Sequence, residues 1–443
     1  MTYRDSLAYL YSYTNYERKG MPKYTLAHYD LARIEALLAR LGNPHHSFKS
    51  LLIAGTKGKG STAAFSESML RAAGYRTGLY TSPHLHTFRE RIQVQGELIS
   101  EAEVVRLTEL LKPHLEAIAG LTAFEAITAM AFYAFAEANV EVAVLEVGLG
   151  GRLDATNITH PEVAVLTSIS YDHTQLLGDT LTLIAREKAG IIRPGALVVS
   201  APQVPEAMTM IEEVCAGRHA QLVVVGEADY RWLPGRATLH GQSFELQNER
   251  YWIPLLGRHQ LANAVTAMAA MDGMQQRAGL EIPLAARRAG LQTTRWPGRL
   301  EILGHDPYVV VDSAHNGDSA SKLQAALHDF FPGRRVILVF GASSDHPFAD
   351  ALAELLPAAG RIFVTRSRHP RAAAPETLAE TVAQLGRNAE LTHSVPEAIQ
   401  AALQDARPND LVCITGSIFT VADGREFWCR YKGLPLPPTD PEP

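Results

Sequence analysis

Short apolar runs alternate with helix-like stretches along most of the chain. Continuous runs rich in Val, Leu and Ile predict strands at 51–54, 141–147, 163–169, 196–200, 308–312, 335–340, 361–365 and 411–415. Such runs are typical of strands buried on both faces of a parallel sheet. Helical stretches lie between most of them, at 61–73, 101–119, 124–138, 318–330 and 348–358. The alternation predicts an α/β protein with mostly parallel sheets.

Residues 221–256 interrupt this pattern. Apolar positions at 223–225, 237–239 and 243–246 are short and separated by turn residues, which predicts a small antiparallel insertion. A helix near 259–277 follows, and the turn pair Pro297-Gly298 then precedes a new alternating series. The predicted units are therefore a mostly parallel domain over 1–296, a Rossmann-like α/β domain over 297–433, and a disordered, proline-rich tail over 434–443.

Composition narrows the class of protein. A chain of 443 residues is too long for one ordinary core, and 47% hydrophobic with 20% charged residues is typical of a globular protein. A net charge of −6 provides no basic surface for nucleic acid or anionic lipid. No apolar run reaches the roughly 18–20 residues of a membrane span, and the three cysteines form no C-x-x-C pair. We expect a cytoplasmic monomer that binds small molecules, with no nucleic-acid or membrane partner.

The segment 51–62, L-L-I-A-G-T-K-G-K-G-S-T, predicts a strand, a glycine-rich turn and a helix start. Backbone N–H groups and the helix N-terminus would converge there on a phosphate, which makes the first domain P-loop ATPase-like. Lys59 would add a full charge, and Ser61 or Thr62 a hydroxyl near Mg²⁺. A glycine-rich turn that binds nothing is the alternative, because Ile53 replaces the usual first Gly.

Polar residues follow three further predicted strands. Ser82-Pro83-His84 comes after one, and Glu146 interrupts another, where a buried carboxylate is costly unless it is paired or binds a metal. Pairing with Arg152 is the alternative for Glu146. His173 follows a third strand; imidazole would favour Mn²⁺ or Zn²⁺ over Mg²⁺, and a structural hydrogen-bonding role is the alternative.

Taken in order, these motifs resemble the folylpolyglutamate synthase/dihydrofolate synthase family of the Mur ligase superfamily. The strings are G-T-x-G-K-G-S, S-P-H-L with F-x-E-R-I, E-V-G-L-G-G-R-x-D-A-T-N, and D-H with L-G-D-T and I-A-R-E-K-A-G-I, and the resemblance runs from about residue 20 to about 430. Two positions depart from the family. Lys57 stands where Asn is usual, and His346 follows Asp345 where Lys is common. We expect Lys57, as one exposed extra charge, to change ATP affinity only a few-fold.

The resemblance implies the following site residues. The expected phosphate-loop contacts to ATP are Gly55, Thr56, Lys57, Gly58, Lys59, Gly60, Ser61 and Thr62. The other expected nucleotide contacts are Asn263, Arg299 and Asp312. The expected catalytic residues are Lys59, Glu146, His173 and Lys188, and the expected metal ligands are Ser61, Ser82, Glu146 and His173. The expected substrate contacts are Pro83, His84, Phe88, Arg91, Phe124, Arg152, Asp154, His315 and Ser417.

The same resemblance implies an ATP-dependent ligase that joins L-glutamate to a folate or pteroate carboxyl group through an acyl phosphate. Residues 1–296 would bind ATP and folate, and residues 297–433 would form the glutamate-ligase domain. Its cofactors would be ATP, two Mg²⁺ ions and a carbamylated Lys188, with K⁺ as a further candidate. The alternatives are another Mur-type amide ligase with a cell-wall or cyanophycin-like substrate, and a P-loop ATPase that ligates nothing. A hydride-transferring dinucleotide enzyme is disfavoured, because no G-x-G-x-x-G follows the first strand.

Overall fold

The computed structural model describes residues 1–14, 30–344 and 348–441. The departure at Asp345-His346 lies outside these residues. Within them the chain forms two sheets with helices on both faces and one small antiparallel sheet. None of the described helices is long and apolar enough to cross a membrane.

The first sheet has the order β4-β3-β2-β5-β1-β6-β7-β8. Its strands are β1 (Lys49–Ala54), β2 (Thr77–Tyr80), β3 (Ile92–Val94), β4 (Glu97–Leu98), β5 (Val142–Glu146), β6 (Val163–Leu166), β7 (Leu197–Ser200) and β8 (Gln221–Val224). The strands from β2 through β8 in this order pair in parallel, whereas β3 and β4 add an antiparallel edge that the sequence did not predict.

Helices cover both faces of this sheet. They are α1 (Tyr3–Ser12), α2 (Leu31–Arg40), α3 (Lys59–Ala72), α4 (Glu101–Glu116), α5 (Ala123–Glu137), α6 (Thr174–Leu177), α7 (Leu181–Lys188), α8 (Pro205–Gly217), α9 (Arg258–Ala278) and α10 (Leu284–Thr293). Alternate residues of β1 point to opposite faces, so that Leu52 and Ala54 pack with α2 and α5, and Leu51 and Ile53 pack with α3 and α9. Both faces are thus dry, which explains the continuous apolar runs.

The antiparallel insertion is smaller than predicted. It comprises β9 (Trp232–Thr238), β10 (Gly241–Leu246) and β11 (Glu249–Ile253). The apolar residues at 223–225 were assigned to it wrongly: β8 pairs in parallel with β7 and closes the edge of the first sheet. An apolar run of four residues satisfies either pairing, and only the position of β7 decides between them.

The second sheet has the order β12-β13-β17-β14-β15-β16, parallel except for the β12–β13 pair. Its strands are β12 (Glu301–His305), β13 (Tyr308–Val311), β14 (Val336–Phe340), β15 (Ala359–Val364), β16 (Glu390–Leu391) and β17 (Leu411–Thr415). Its helices are α11 (Gly317–Phe330), α12 (Ala349–Leu355), α13 (Pro375–Gln384), α14 (Val395–Asp405) and α15 (Ile418–Lys432). Pro297-Gly298 lies in the link between α10 and β12.

The tail after α15 differs from the predicted disorder. Residues 434–441 form no helix or strand, but they follow a defined path that ends in side-chain contacts of Asp440 with Tyr3 and Thr87. Composition alone did not reveal this, because the partners lie more than 350 residues away in the chain.

Helix α3, which carries the phosphate loop, packs very closely on α10. A Cβ added at Gly290 would lie 2.5 Å from the Cα of Met69, and the Ser68 hydroxyl donates to the Gly290 carbonyl at 2.8 Å. We therefore expect Gly290→Ala to lower the free energy of unfolding by about 1–3 kcal/mol, because backbone atoms must shift. Gly217→Ala is the control, since nothing lies within 4 Å of a Cβ there. Urea unfolding of both variants tests this, and equal midpoints would contradict it.

Candidate functional site

A cavity of about 470 Å³ lies between the two α/β domains at the carboxyl ends of their strands. This edge is where parallel α/β sheets bind ligands. The predicted residues that line it are Thr56, Lys57, Gly58, Lys59, Gly60, Ser61, Ser82, Pro83, His84, Arg91, Phe124, Glu146, Asp154, His173, Asn263, Arg299, Asp312, His315 and Ser417. The structure thus gathers most of the predicted site in one place.

The phosphate loop connects β1 to α3 and opens into this cavity. The Thr56 and Lys57 N–H groups donate to the Ser168 carbonyl at 2.9 and 3.0 Å, which ties the loop to the end of β6. Gly58 begins the helix with φ +92°, and a Cβ there would lie 2.4 Å from Oδ1 of Asn263. Only glycine fits this position, so the loop and the N-terminus of α3 can face a phosphate together.

Lys57 is buried and paired, which corrects the expectation of an exposed charge. Its side chain is 14% exposed, and its Nζ lies 2.8 Å from Asp172 Oδ2 and 2.8 Å from His315 Nε2. His315 Nδ1 lies 2.9 Å from the Ser313 carbonyl and so carries the proton, which leaves Nε2 to accept from Lys57. Burial acts to raise the pKa of Asp172, but the Lys57 ammonium outweighs it and holds that pKa well below its usual range. Lys57 therefore joins the phosphate loop to the C-terminal domain.

Glu146 ends β5 inside the cavity. Its Oε2 accepts from the Ser82 N–H at 3.3 Å, and its Oε1 lies 4.0 Å from Lys59 Nζ. Burial raises the pKa of Glu146, and Lys59 opposes the shift. Arg152, the alternative partner, instead pairs with Glu187 at 3.0 Å. A buried carboxylate with such loose compensation suits a bound cation.

His173 and Lys188 approach the loop from the side of β6. His173 begins α6 in the left-handed region with φ 49°, and its Nε2 lies 4.0 Å from Asp172 Oδ1. Lys188 ends α7 beneath the loop, outside the cavity lining, and its Nζ donates to the Gly55 carbonyl at 2.9 Å. Burial, with Lys59 adding to it, lowers the pKa of Lys188 to about 7.

The donor set suits magnesium better than a metal held by protein alone. In residues 1–14, 30–344 and 348–441, no group of three His, Cys, Asp or Glu side chains could hold a metal ion. Mg²⁺ usually takes one or two protein oxygens and completes its shell with water and phosphate. Glu146, Ser82 and Ser61 are oxygen donors on the cavity wall and meet this requirement, with His173 nearby.

The segment 82–92 forms one wall of the cavity together with the start of α5. Arg91 Nε donates to His84 Nδ1 at 2.9 Å, and both residues line the cavity. Phe124 also lines the cavity, and the chain passes its ring so closely at Gly148 that an added Cβ would lie 2.6 Å from it. The cavity lining thus includes an aromatic ring and a buried arginine, groups that suit a flat anionic ligand.

Five predicted residues do not line the cavity: Gly55, Thr62, Phe88, Arg152 and Lys188. Phe88 is fully buried in the core of the first domain. The Arg152 side chain is 44% exposed and turned towards Glu187. In the structure Phe88 thus packs in the core and Arg152 forms a surface ion pair, and their substrate contacts stay predictions.

The residues predicted to contact the nucleotide lie where the two domains meet. Asp312 follows β13 and accepts from the Leu300 and Ala314 N–H groups at 2.8 and 2.9 Å. Burial raises the pKa of Asp312, and Arg299 opposes the shift. The Asn263 amide donates to Gln260 Oε1 at 3.0 Å, which fixes its orientation beside Gly58.

Sequence analysis assigned no role to several residues that line the cavity. Asp172 is the first residue of the D-H motif and could have been identified from that position alone. Arg371 follows β15 at the carboxyl edge of the second sheet, where basic residues suggest anion binding. The ring of His369 stacks on Phe419 with centroids 3.6 Å apart, and no sequence pattern predicts that contact.

Known protein families and relatives match this chain over most of its length. The Mur ligase middle domain matches residues 53–271, and the Mur ligase glutamate ligase domain matches residues 298–418. A Bacillus subtilis protein named dihydrofolate synthase/folylpolyglutamate synthase is 37% identical over 410 residues, which cover 89% of this chain and 94% of the relative. A probable bifunctional folylpolyglutamate synthase/dihydropteroate synthase from Halobacterium salinarum is 37% identical over 409 residues; they cover 89% of this chain and 49% of the relative, so the chain spans about half of its length.

Solved structures give the same result. The chain is similar to Mycobacterium tuberculosis folylpolyglutamate synthase, solved in complex with ADP and AMPPCP, with a TM-score of 0.86 and 33% identity. The similarity covers 96% of this chain and 98% of that one.

The buried position of Lys57 predicts a larger effect of its loss than an exposed charge would have. Lys57→Asn leaves Asp172 buried without its ammonium, and breaking such a pair costs about 3–5 kcal/mol. We expect kcat to fall by roughly 10- to 100-fold, or about 1.4–2.8 kcal/mol at about 1.4 kcal/mol per tenfold, because only part of that cost falls on the catalytic step. Adding Asp172→Asn should recover part of the loss. Lys112→Asn, on an exposed surface pair, is the control. A change of only a few-fold, confined to the KM for ATP, would contradict this prediction.

Proposed function

The chain belongs to the folylpolyglutamate synthase/dihydrofolate synthase family of Mur ligases, and we propose that it ligates L-glutamate to the terminal carboxyl group of a reduced folate or pteroate with ATP. The observation that carries this function is the single cavity, in which a phosphate loop, a carboxylate at a strand end and a cationic, aromatic wall meet residues of the C-terminal domain. Residues 1–296 would bind ATP and the acceptor, and residues 297–433 would bind glutamate.

The chemistry proceeds in two displacements. The acceptor carboxylate oxygen attacks the γ-phosphorus of ATP, and the bond to ADP breaks, which gives an acyl phosphate. The amine of L-glutamate then attacks the acyl carbon, loses a proton and expels inorganic phosphate. Most of the catalysis in such transfers comes from positioning and charge neutralisation.

The residues of the cavity provide that neutralisation. Lys59 lies at the loop end beside Glu146, and Arg299 comes from the link between the domains. Glu146, Ser82, Ser61 and His173 would hold Mg²⁺, which when bound neutralises phosphate oxygens. Each charge-stabilising contact of this kind can contribute roughly 10²–10³ in rate.

The C-terminal domain offers a place for the incoming amino acid. Helix α15 begins at Ile418, and Ser417 caps it by accepting from the Thr420 N–H at 3.1 Å. Ser417, Arg371 and His315 all come from the C-terminal domain and line the cavity. A helix N-terminus and an arginine both suit a carboxylate, so we assign the cavity wall of this domain to L-glutamate. Because one chain supplies all of these groups, a monomer suffices, which sedimentation would check.

The choice of acceptor is tested by a substrate panel. We expect ADP and phosphate to form with ATP, L-glutamate and either tetrahydrofolate or 7,8-dihydropteroate, because Phe124 and Arg91 provide a wall for a flat anionic molecule. Lys59→Ala is the control for contaminating ATPases. A muramyl substrate as the sole active acceptor would refute the folate assignment but not the ligase. Phosphate release that needs no acceptor would refute both the folate assignment and the ligase assignment. Repeating the assay with NaCl in place of KCl tests whether the enzyme uses K⁺ as a cofactor.

We extend the proposal to a carbamate on Lys188. With a pKa of about 7, much of this buried amine is uncharged at neutral pH and can attack CO₂, forming an N–C bond and releasing a proton. The group changes from a cation to an anion, which the neighbouring Lys59 and Lys57 favour. The resemblance to the family implies that this carbamate anion would interact with the bound metal ion.

The carbamate is tested with ¹³C-bicarbonate. We expect a carbamate resonance in the wild-type protein that grows as the pH rises through about 7, because the reactive amine is neutral only above its pKa. Lys188→Ala should lack the resonance and lose activity, and short carboxylates should restore part of that activity. A wild-type protein without the resonance, or a fully active Lys188→Ala variant, would refute the proposal.

A further inference from the structure

The segment 82–92, here called the acceptor loop, organises its own backbone around one carboxylate. Glu90 accepts hydrogen bonds from the N–H groups of Leu85, His86 and Thr87 at 2.7, 2.9 and 3.1 Å. These bonds fix the first half of the loop and form a capping box with Thr87. They leave the N–H of Phe88, at the start of the following short turn, to a partner from elsewhere.

That partner is Asp440, in the tail that follows α15. Its Oδ2 accepts from the Phe88 N–H at 2.8 Å, and its Oδ1 accepts from the Thr87 hydroxyl at 2.6 Å and from the Tyr3 hydroxyl at 2.7 Å. Hydrogen bonds to an ionised acceptor are the stronger kind. One carboxylate therefore ties the C-terminal tail and helix α1 to the acceptor loop.

The same carboxylate faces a residue of the cavity wall. His84 Nδ1 accepts from Arg91, so the ring proton lies on Nε2, which is 3.9 Å from Asp440 Oδ2. His84 and Arg91 both line the cavity. Asp440 thus lies behind the wall and acts on the ligand only through the loop.

The tail is well suited to hold this position. Pro435, Pro437, Pro438 and Pro441 restrict its backbone, so that ordering it costs less conformational entropy than ordering an ordinary tail. It begins directly after α15, whose Arg425 and Glu426 contact His86 of the acceptor loop. The C-terminal domain therefore holds the loop at two points.

We propose that Asp440 is a positioning residue: the tail 434–441 acts as a strap that holds the acceptor loop in its ligand-binding form and links it to the C-terminal domain. The identity of the ligand rests on the proposed function; the strap itself does not. If the strap is lost, the loop retains its Glu90 bonds but loses its anchor at Phe88. Binding of the acceptor is then weakened, whereas the phosphate loop keeps its hydrogen bonds to the Ser168 carbonyl and is unaffected.

The experiment compares Asp440→Ala and a chain ending at Gly433 with Glu380→Gln, which removes an exposed carboxylate on α13. We expect the KM for tetrahydrofolate to rise about tenfold in the first two variants, with the KM values for ATP and L-glutamate within twofold of wild type. Hydrogen exchange should accelerate at least tenfold in a peptide covering 82–92 and stay unchanged at 55–62. The control should match wild type in both measurements.

Three outcomes would overturn the strap. Unchanged exchange in 82–92 would show that Asp440 does not hold the loop. Faster exchange with an unchanged KM for tetrahydrofolate would show that the loop does not need Asp440 to bind its acceptor. An equal rise in all three KM values would show that Asp440 does not act on the acceptor loop specifically. The exchange measurement needs no substrate, so a wild-type enzyme that fails to use tetrahydrofolate would refute the proposed function separately.

Discussion

The charges buried at the carboxyl edge of the first sheet set the requirement that the rest of the structure meets. The side chains of Lys57, Lys59 and Lys188 lie around the phosphate loop, where Lys57 faces the Asp172 carboxylate and Lys59 faces the Glu146 carboxylate. Each such charge is costly to bury unless others compensate it. The pair of Lys57 and Asp172 is complete, whereas Lys59 and Glu146 remain 4.0 Å apart. A polyanion with its cation fits that looser pair, so the loop is arranged for a triphosphate before one binds.

The link between the domains serves the same site. Leu300 adopts φ 39°, a left-handed conformation that is unfavourable for a residue with a branched side chain, and the Asp312 carboxylate accepts from its N–H. The strained residue follows Arg299, which this turn directs into the cavity. Backbone strain and a buried carboxylate in the link thus place the Arg299 cation in the same cavity as Lys59.

The strands, the phosphate loop and the site residues that could be predicted are those that a short stretch of sequence determines. The central strands appear because residues such as Leu51 and Val144 must be dry on both faces of the sheet, and the phosphate loop appears because Gly58 has no substitute. Glu146 was identifiable because a carboxylate in an apolar strand needs an explanation. The roles of Lys57 and Arg152 were not, since each depends on a partner from another element, Asp172 and Glu187. The same limit explains β8, which an apolar run alone could not assign to one sheet.

The division of the site between two domains follows from the chemistry. An acyl phosphate is lost if water reaches it before the amine does, so the cavity must close once ATP and the acceptor are bound. Lys57 joins the phosphate loop to His315, and Arg425 and Glu426 join the acceptor loop to α15. The phosphate loop and the acceptor loop therefore each have their own contact with the C-terminal domain. Leu85 of the acceptor loop also packs on the apolar core of the C-terminal domain, so that opening of the cavity must separate apolar surface as well as break these polar contacts.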